Sequence, residues 1–173
     1  MPKGSAADRT NVERALLQEE FMEASRRKLA ADEKVGVAEW VAKLRSWDLF
    51  VTLTYDQRRL EYTPSFPSAQ RHVVGWLADV QGALGRPVCA VFGLESQKNG
   101  WPHAHGLLEV GGLGEGDIAR AGRLWFEAWG FNRLEAPRSR GDVAGYCAKY
   151  VVKEDRSGLV FFGPLEQLRW ALS

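Results

Sequence analysis

Tyr146, Lys149, Tyr150 and Lys153 stand close together in the segment GYCAKYVVKE. At roughly 100° per residue, an α-helix gathers all four into one narrow arc. Ala144, Cys147, Ala148, Val151 and Val152 then fall on the opposite side, where a core takes them. A phenol with a pKa of ~10 is a poor nucleophile at neutral pH. Adjacent ammonium groups favour its phenolate and hold an anionic substrate, of which a phosphodiester is the obvious example. The same spacing also describes an ordinary amphipathic helix with a solvated polar face, so the choice depends on what else the chain supplies.

A second group lies some forty residues upstream, in VCAVFGLESQKNGWPHAHGLLEV, residues Val88–Val110. Two apolar runs, Val88–Leu94 and Ala104–Val110, flank a Gln-Lys-Asn-Gly turn, the pattern of a β-hairpin. Residues two apart in a strand share a face, so His103 and His105 point the same way, while Ala104, Gly106 and Leu108 point to the other. Glu95 ends the first strand and comes close to the histidines across the hairpin. Two imidazoles and a carboxylate make a facial metal site with positions left for water and substrate oxygens. Two histidines hydrogen-bonded at a strand start fit the same letters.

These motifs together carry a family resemblance. PHAHG followed by YCAKYVVK resembles the HUH endonucleases, in which a histidine–hydrophobic–histidine motif precedes one or two tyrosines on a later helix. Y-x-x-K-Y-x-x-K is similar to the two-tyrosine rolling-circle replication initiators and to related transposases. The apolar, threonine-bearing FVTLTY, Phe50–Tyr55, matches the strand that opens their core. The resemblance covers about residues 48–155. Conjugative relaxases have a permuted order and a third histidine ligand, from which this chain departs.

The resemblance implies a ferredoxin- or RRM-like sheet with the histidines on a central strand and the tyrosine helix over their face. It implies that Glu95, His103 and His105 hold one divalent cation, Mg²⁺ or Mn²⁺, with Zn²⁺ also suited to imidazole-rich sites. Tyr146 would attack phosphorus, leaving a free 3′-hydroxyl and a 5′-phosphotyrosine. Tyr150 would serve the resolving or joining step, with Lys149 and Lys153 stabilising phenolate or phosphate charge. Arg138 and Arg140, ahead of the tyrosine helix, are candidate DNA phosphate contacts or a solvated loop. Trp101 either stacks a base or caps the sheet. Thr52 and Thr54 alternate with Val51 and Leu53, so their hydroxyls face the site or simply fill a β-branched strand; Thr54 is taken as a DNA contact.

A chain of 173 residues suffices for one domain with a real core and an appendage. Its two cysteines form no disulfide framework or zinc knuckle and suit a reducing interior. No apolar run approaches the ~18 residues of a membrane span, and no signal-peptide pattern is present, so a cytoplasmic protein with no membrane partner is expected. A net charge of +1 argues against a generic DNA-coating protein, so any grip on nucleic acid must be local.

Apolar periodicity predicts helices over Asn11–Ala31, Val37–Ser46, Ser68–Leu84 and Asp117–Trp129. Ser68 is the expected N-cap of the third, with Val73, Val74, Leu77 and Val80 inward. The fourth turns Ile118, Leu124, Trp125 and Ala128 toward a core. Strands are expected at Leu49–Tyr55, Phe131–Glu135 and Leu159–Phe162, the tyrosine helix at Asp142–Lys153, and a last helix at Pro164–Leu172. The sum is an α+β fold, a mainly antiparallel sheet with helices packed on it. It divides into an N-terminal helical extension, residues 1–47, and an endonuclease domain, residues 48–173. The extension is open to packing on the core, binding DNA or mediating assembly.

The function expected is a metal-dependent nickase and strand transferase acting on single-stranded DNA at a replication origin. A transposase of the same chemistry, a non-catalytic RRM-like nucleic-acid-binding module and a zinc hydrolase are the alternatives. No Walker motif occurs, so a helicase would be a separate chain.

Overall fold

The computed structural model describes residues 33, 35–151 and 160–163. Lys153 and the helices expected over Asn11–Ala31 and Pro164–Leu172 lie outside the described residues. The chain separates into two compact units, Met1–Gly36 and Val37–Ser173, and the sheet belongs entirely to the second.

That unit is α+β. Its order is α1 (residues 37–44), β1 (Leu49–Tyr55), α2 (Phe66–Leu84), β2 (Cys89–Ser96), β3 (Pro102–Glu109), α3 (Glu115–Ala128), β4 (Gly130–Glu135), α4 (Arg140–Tyr146) and β5 (Val160–Phe162). A π-helical turn, Cys147–Val151, continues α4. The five strands lie in the order β4-β1-β3-β2-β5, and every pairing is antiparallel. Adjacent antiparallel strands can be joined by a tight turn, and β2 and β3 are, through the Gln97–Gly100 turn closed by Gly100 N–H donating to Gln97 O at 2.9 Å.

Each face of the sheet has its own core. Along β1, Leu49, Val51, Leu53 and Tyr55 are buried while Phe50, Thr52 and Thr54 are half-buried, the two-residue alternation of a strand with unequal faces. On the larger side α2 buries Ala69, Val73, Trp76, Leu77 and Val80, and α3 buries Ala121 and Trp125, against Leu49, Leu53, Phe92 and Leu108. On the other side a smaller cluster joins Ala38 and Val41 of α1 to Val91, Leu107, Val143 and Cys147. Thr52, Thr54 and the polar ends of β2 and β3 lie on this second face.

Helix boundaries shift from the expected ones for local reasons. α2 starts at Phe66, not Ser68, because Ser65 is the cap: its hydroxyl accepts from the Ser68 N–H, and Pro67 occupies the first turn, where a missing N–H costs nothing. Val74 is 39% exposed rather than inward, since the buried stripe follows Val73, Leu77 and Val80. α3 begins at Glu115, two residues early, because the Asp117 carboxylate reaches back to the Gly114 N–H at 3.3 Å. It ends before Trp129, and Ala128 is exposed.

Gly130 then enters β4 directly, at φ +147, where an added Cβ would collide with the backbone of Asp56 and Thr54. No other residue type fits that junction without displacing β1. Among the described residues no helix is long and apolar enough to cross a membrane.

Candidate active site

β3 is the middle strand of the sheet, so His103 and His105 project from its centre. In the register, His103 stands opposite Glu95 on β2 and Thr54 on β1, and His105 stands opposite Thr52. Cross-strand partners share a face, which gathers all five side chains on one side. One ligand atom from each of Glu95, His103 and His105 lies within 4.8 Å of the others. Glu95 Oε1 is 3.2 Å from His105 Nε2, and the two imidazole centres are 4.4 Å apart.

The outer shell is built by β1. Thr52 Oγ1 lies 3.1 Å from His105 Nδ1, and Thr54 Oγ1 lies 3.0 Å from His103 Nδ1. With Nδ1–H donating to the Thr52 hydroxyl, His105 keeps Nε2 as a lone-pair donor, the arrangement that orients metal-ligating histidines. Two partners meet His103 Nδ1: Thr54 Oγ1 can accept from an Nδ1–H, whereas the Gln97 side-chain N–H, 2.7 Å away, can only donate to an unprotonated Nδ1. His105 is only 7% exposed, and the donor set of two imidazoles and a carboxylate fits a divalent cation.

Glycine follows His105 for a steric reason: Gly106 pairs with Phe92, and a Cβ there would overlap the Phe92 ring. The ring occupies the space on the core side directly beneath the ligand strand.

The two tyrosines approach His105 differently. Tyr146 donates its hydroxyl to the Val51 carbonyl at 2.8 Å and lies 3.4 Å from His105 Nδ1. Its ring stacks on Phe50, centroids 4.4 Å apart at 10°, and burial pushes its pKa up to about 12. Tyr150 lays its ring 4.6 Å from the His105 ring and 5.0 Å from Tyr146, and Lys149 Nζ sits 4.8 Å over the Tyr150 ring.

The solvated polar face of an ordinary amphipathic helix is thus not what forms. α4 ends at Tyr146 and a π turn follows, while Tyr146 packs with Cys147 and Val143 in the smaller core. A helix only seven residues long docks with its flank as well as its back. The cap, Ser139, also moves the helix start to Arg140 from the expected Asp142.

Other expected residues lie apart. Arg138 and Arg140 line a cleft of about 920 Å³ with Lys43 and Arg45, between α1 and the start of α4; Glu95, His103 and His105 are not in its lining. Trp101 is half-buried against the larger core, its ring 6.5 Å from that of Tyr55, which is a capping position. The third histidine, His72, stacks on Trp129 at 3.7 Å and meets the Tyr55 hydroxyl at 3.0 Å.

Gln97 and Phe50 were not singled out by sequence reasoning. For Gln97 a signal existed: continuing the pairing from Ser96–Pro102 puts it on the same face as Glu95 and His103. Phe50 is one apolar residue in an apolar run and carries no such mark.

Residues 48–155, more than half of the chain, match the family model described as replication-associated protein ORF2/G2P. No curated protein and no solved structure matches the chain.

Proposed function

The chain belongs to the replication-associated protein ORF2/G2P family, and on that premise we propose that it is an HUH-type, metal-dependent enzyme that nicks and rejoins single-stranded DNA to initiate rolling-circle replication. The observation that carries the proposal is the meeting of two phenols and a Glu–His–His cluster around one imidazole, His105. Glu95, His103 and His105 would hold the cation, which supplies Lewis-acid polarisation of a phosphate oxygen when bound. Thr52 and Thr54 keep both imidazoles oriented for that task.

Tyr146 and Tyr150 are the proposed nucleophiles. In the nicking step the phenol gives up its proton, its oxygen bonds to phosphorus, and the P–O3′ bond breaks. The departing 3′ oxygen takes up a proton, leaving a 5′-phosphotyrosine. One phosphoester replaces another, so the reverse reaction joins ends without a nucleotide cofactor. Lys149, beside Tyr150, and Lys153 are the cations proposed to stabilise phenolate or phosphate charge. For Tyr146, reaction requires release of the Val51 carbonyl.

Residues 48–173 are the proposed nuclease unit, preceded by the helical extension of residues 1–47, and a separate helicase would open the duplex. Arg138 and Arg140 fit contacts to DNA phosphates at a distance from the cluster, Thr54 is a candidate DNA contact beside His103, and Trp101, packed on the larger core, is the weaker candidate.

Incubation of the protein with end-labelled single-stranded oligonucleotides and Mn²⁺, followed by a denaturing protein gel, tests the proposal. A labelled band at protein mass is expected, absent in Tyr146→Phe/Tyr150→Phe and in His105→Ala. Cleavage that persists in the double tyrosine variant, with no adduct, would point to water as the nucleophile and overturn it.

A further inference from the structure

Two large apolar side chains are exposed together at the open edge of the sheet. Phe126, at the end of α3, and Phe131, on β4, are 44% and 50% exposed, with ring centres 6.5 Å apart. β4 is an edge strand, and such edges are ordinarily guarded by charged residues rather than phenylalanine. Nothing in the core requires Phe131 to be apolar: the inward residues of β4 are Asn132, whose amide donates to Gly122 O, and Leu134.

The register places Phe131 with the active site. It stands opposite Thr54, which stands opposite His103. The three side chains therefore form one row across the same face. Two strand steps of ~4.8 Å put the Phe131 backbone about 10 Å from that of His103, no more than about three stacked nucleotides at ~3.4 Å each.

One arginine covers a ring of the aromatic pair, and two more stand nearby in the chain. The Arg59 guanidinium lies 4.7 Å over the Phe126 ring, and both Arg58 and Arg59 are tethered by Asp56 at the end of β1. Arg133, two residues beyond Phe131 on the same face, is well exposed and pairs with Glu135. An exposed aromatic among arginines is the combination that binds unpaired nucleic acid, through base stacking and phosphate neutralisation.

We propose that Phe131, with Phe126 beside it, is a stacking platform for an unpaired base of the DNA strand held at the metal cluster, and that Arg58, Arg59 and Arg133 meet its flanking phosphates. The proposal rests on the single-stranded DNA reading above and adds the surface along which the strand enters or leaves. It accounts for an apolar edge that the fold leaves uncovered.

The test measures fluorescence polarisation of a labelled unpaired oligonucleotide with the full chain, in chelator so that no cleavage occurs. Phe131→Ala and Phe131→Leu should weaken binding about 5- to 100-fold, and Phe131→Trp should restore it. A 2-aminopurine placed in the strand should lose its quenching in the Ala and Leu variants alone. Equal affinity and quenching across the series would overturn the platform while leaving the nuclease reading intact, since adduct formation is scored separately. A loss in Ala and Leu that Trp does not restore would likewise overturn it. If Phe131→Ala instead changes only the sedimentation of the protein, the patch is an interface between copies and the proposal fails. No binding of unpaired DNA by the unsubstituted chain would overturn both readings.

Discussion

Thr52 and His105 are joined twice, as cross-strand partners in the β1–β3 ladder and through Thr52 Oγ1 at 3.1 Å from His105 Nδ1. The hydroxyl fixes which ring nitrogen faces Glu95. Thr52→Val keeps the shape of the side chain and removes that contact together with the one the hydroxyl makes to Tyr146. Affinity for Mn²⁺, measured by titration calorimetry, should fall about 10- to 100-fold, while stability should fall by only about 0.5–1.5 kcal/mol for each hydrogen bond lost. Unchanged Mn²⁺ affinity would show that the threonine does not orient the ring.

Gly106→Ala tests the packing beneath the ligands. The new methyl group competes with the Phe92 ring for space, and overpacking of this kind costs about 1–3 kcal/mol. Denaturant melts should report that loss. A paired Phe92→Leu substitution should recover part of it, and failure to do so would mean that the strain is carried by the backbone.

The tyrosines should separate by stability as well as chemistry. Tyr146→Phe removes a hydroxyl that donates to Val51 O inside the smaller core, and should cost about 0.5–1.5 kcal/mol. Tyr150→Phe should melt like the unsubstituted chain. Adduct formation is expected to survive in at least one single variant and to vanish in the double one. Survival in the double variant would remove both phenols from the chemistry.

Cys147, buried in the smaller core, gives a pH prediction. Burial pushes its thiol from the ordinary 9.0 up to about 12. The fold thus favours the protonated thiol, and the resulting stability is present in full below the unfolded-state pKa and lost as pH rises toward about 12. Between these limits Cys147 should resist alkylation in the native protein and react readily in denaturant. Rapid native labelling near pH 9 would contradict the burial seen for it.

Much of this architecture was legible in the residues. The alternation in LFVTLTY located β1 at Leu49–Tyr55, and the Gln-Lys-Asn-Gly turn set the hairpin that aligns Glu95 with His103. A period of two is unambiguous when one face is buried and the other is not, as along β1 and β4. The tyrosine segment was harder. Its apolar residues fit an α-helix, but only docking against Phe50 and Val51 decides that Tyr146 turns inward and that the helix widens after it. Periodicity has no term for a neighbour forty or more residues away. Ser65 lost to Ser68 as the expected cap because Pro67 reads equally well as the end of a loop.

The π turn at Cys147–Val151 gives the tyrosine segment one residue more than a regular helix would hold, because its hydrogen bonds close on the fifth residue rather than the fourth. Removing Ala148 would let it relax to an ordinary α-turn that absorbs the deletion locally, leaving Tyr150 three residues from Tyr146 instead of four. The angle between the two phenols would change while Tyr146, anchored upstream, kept its place.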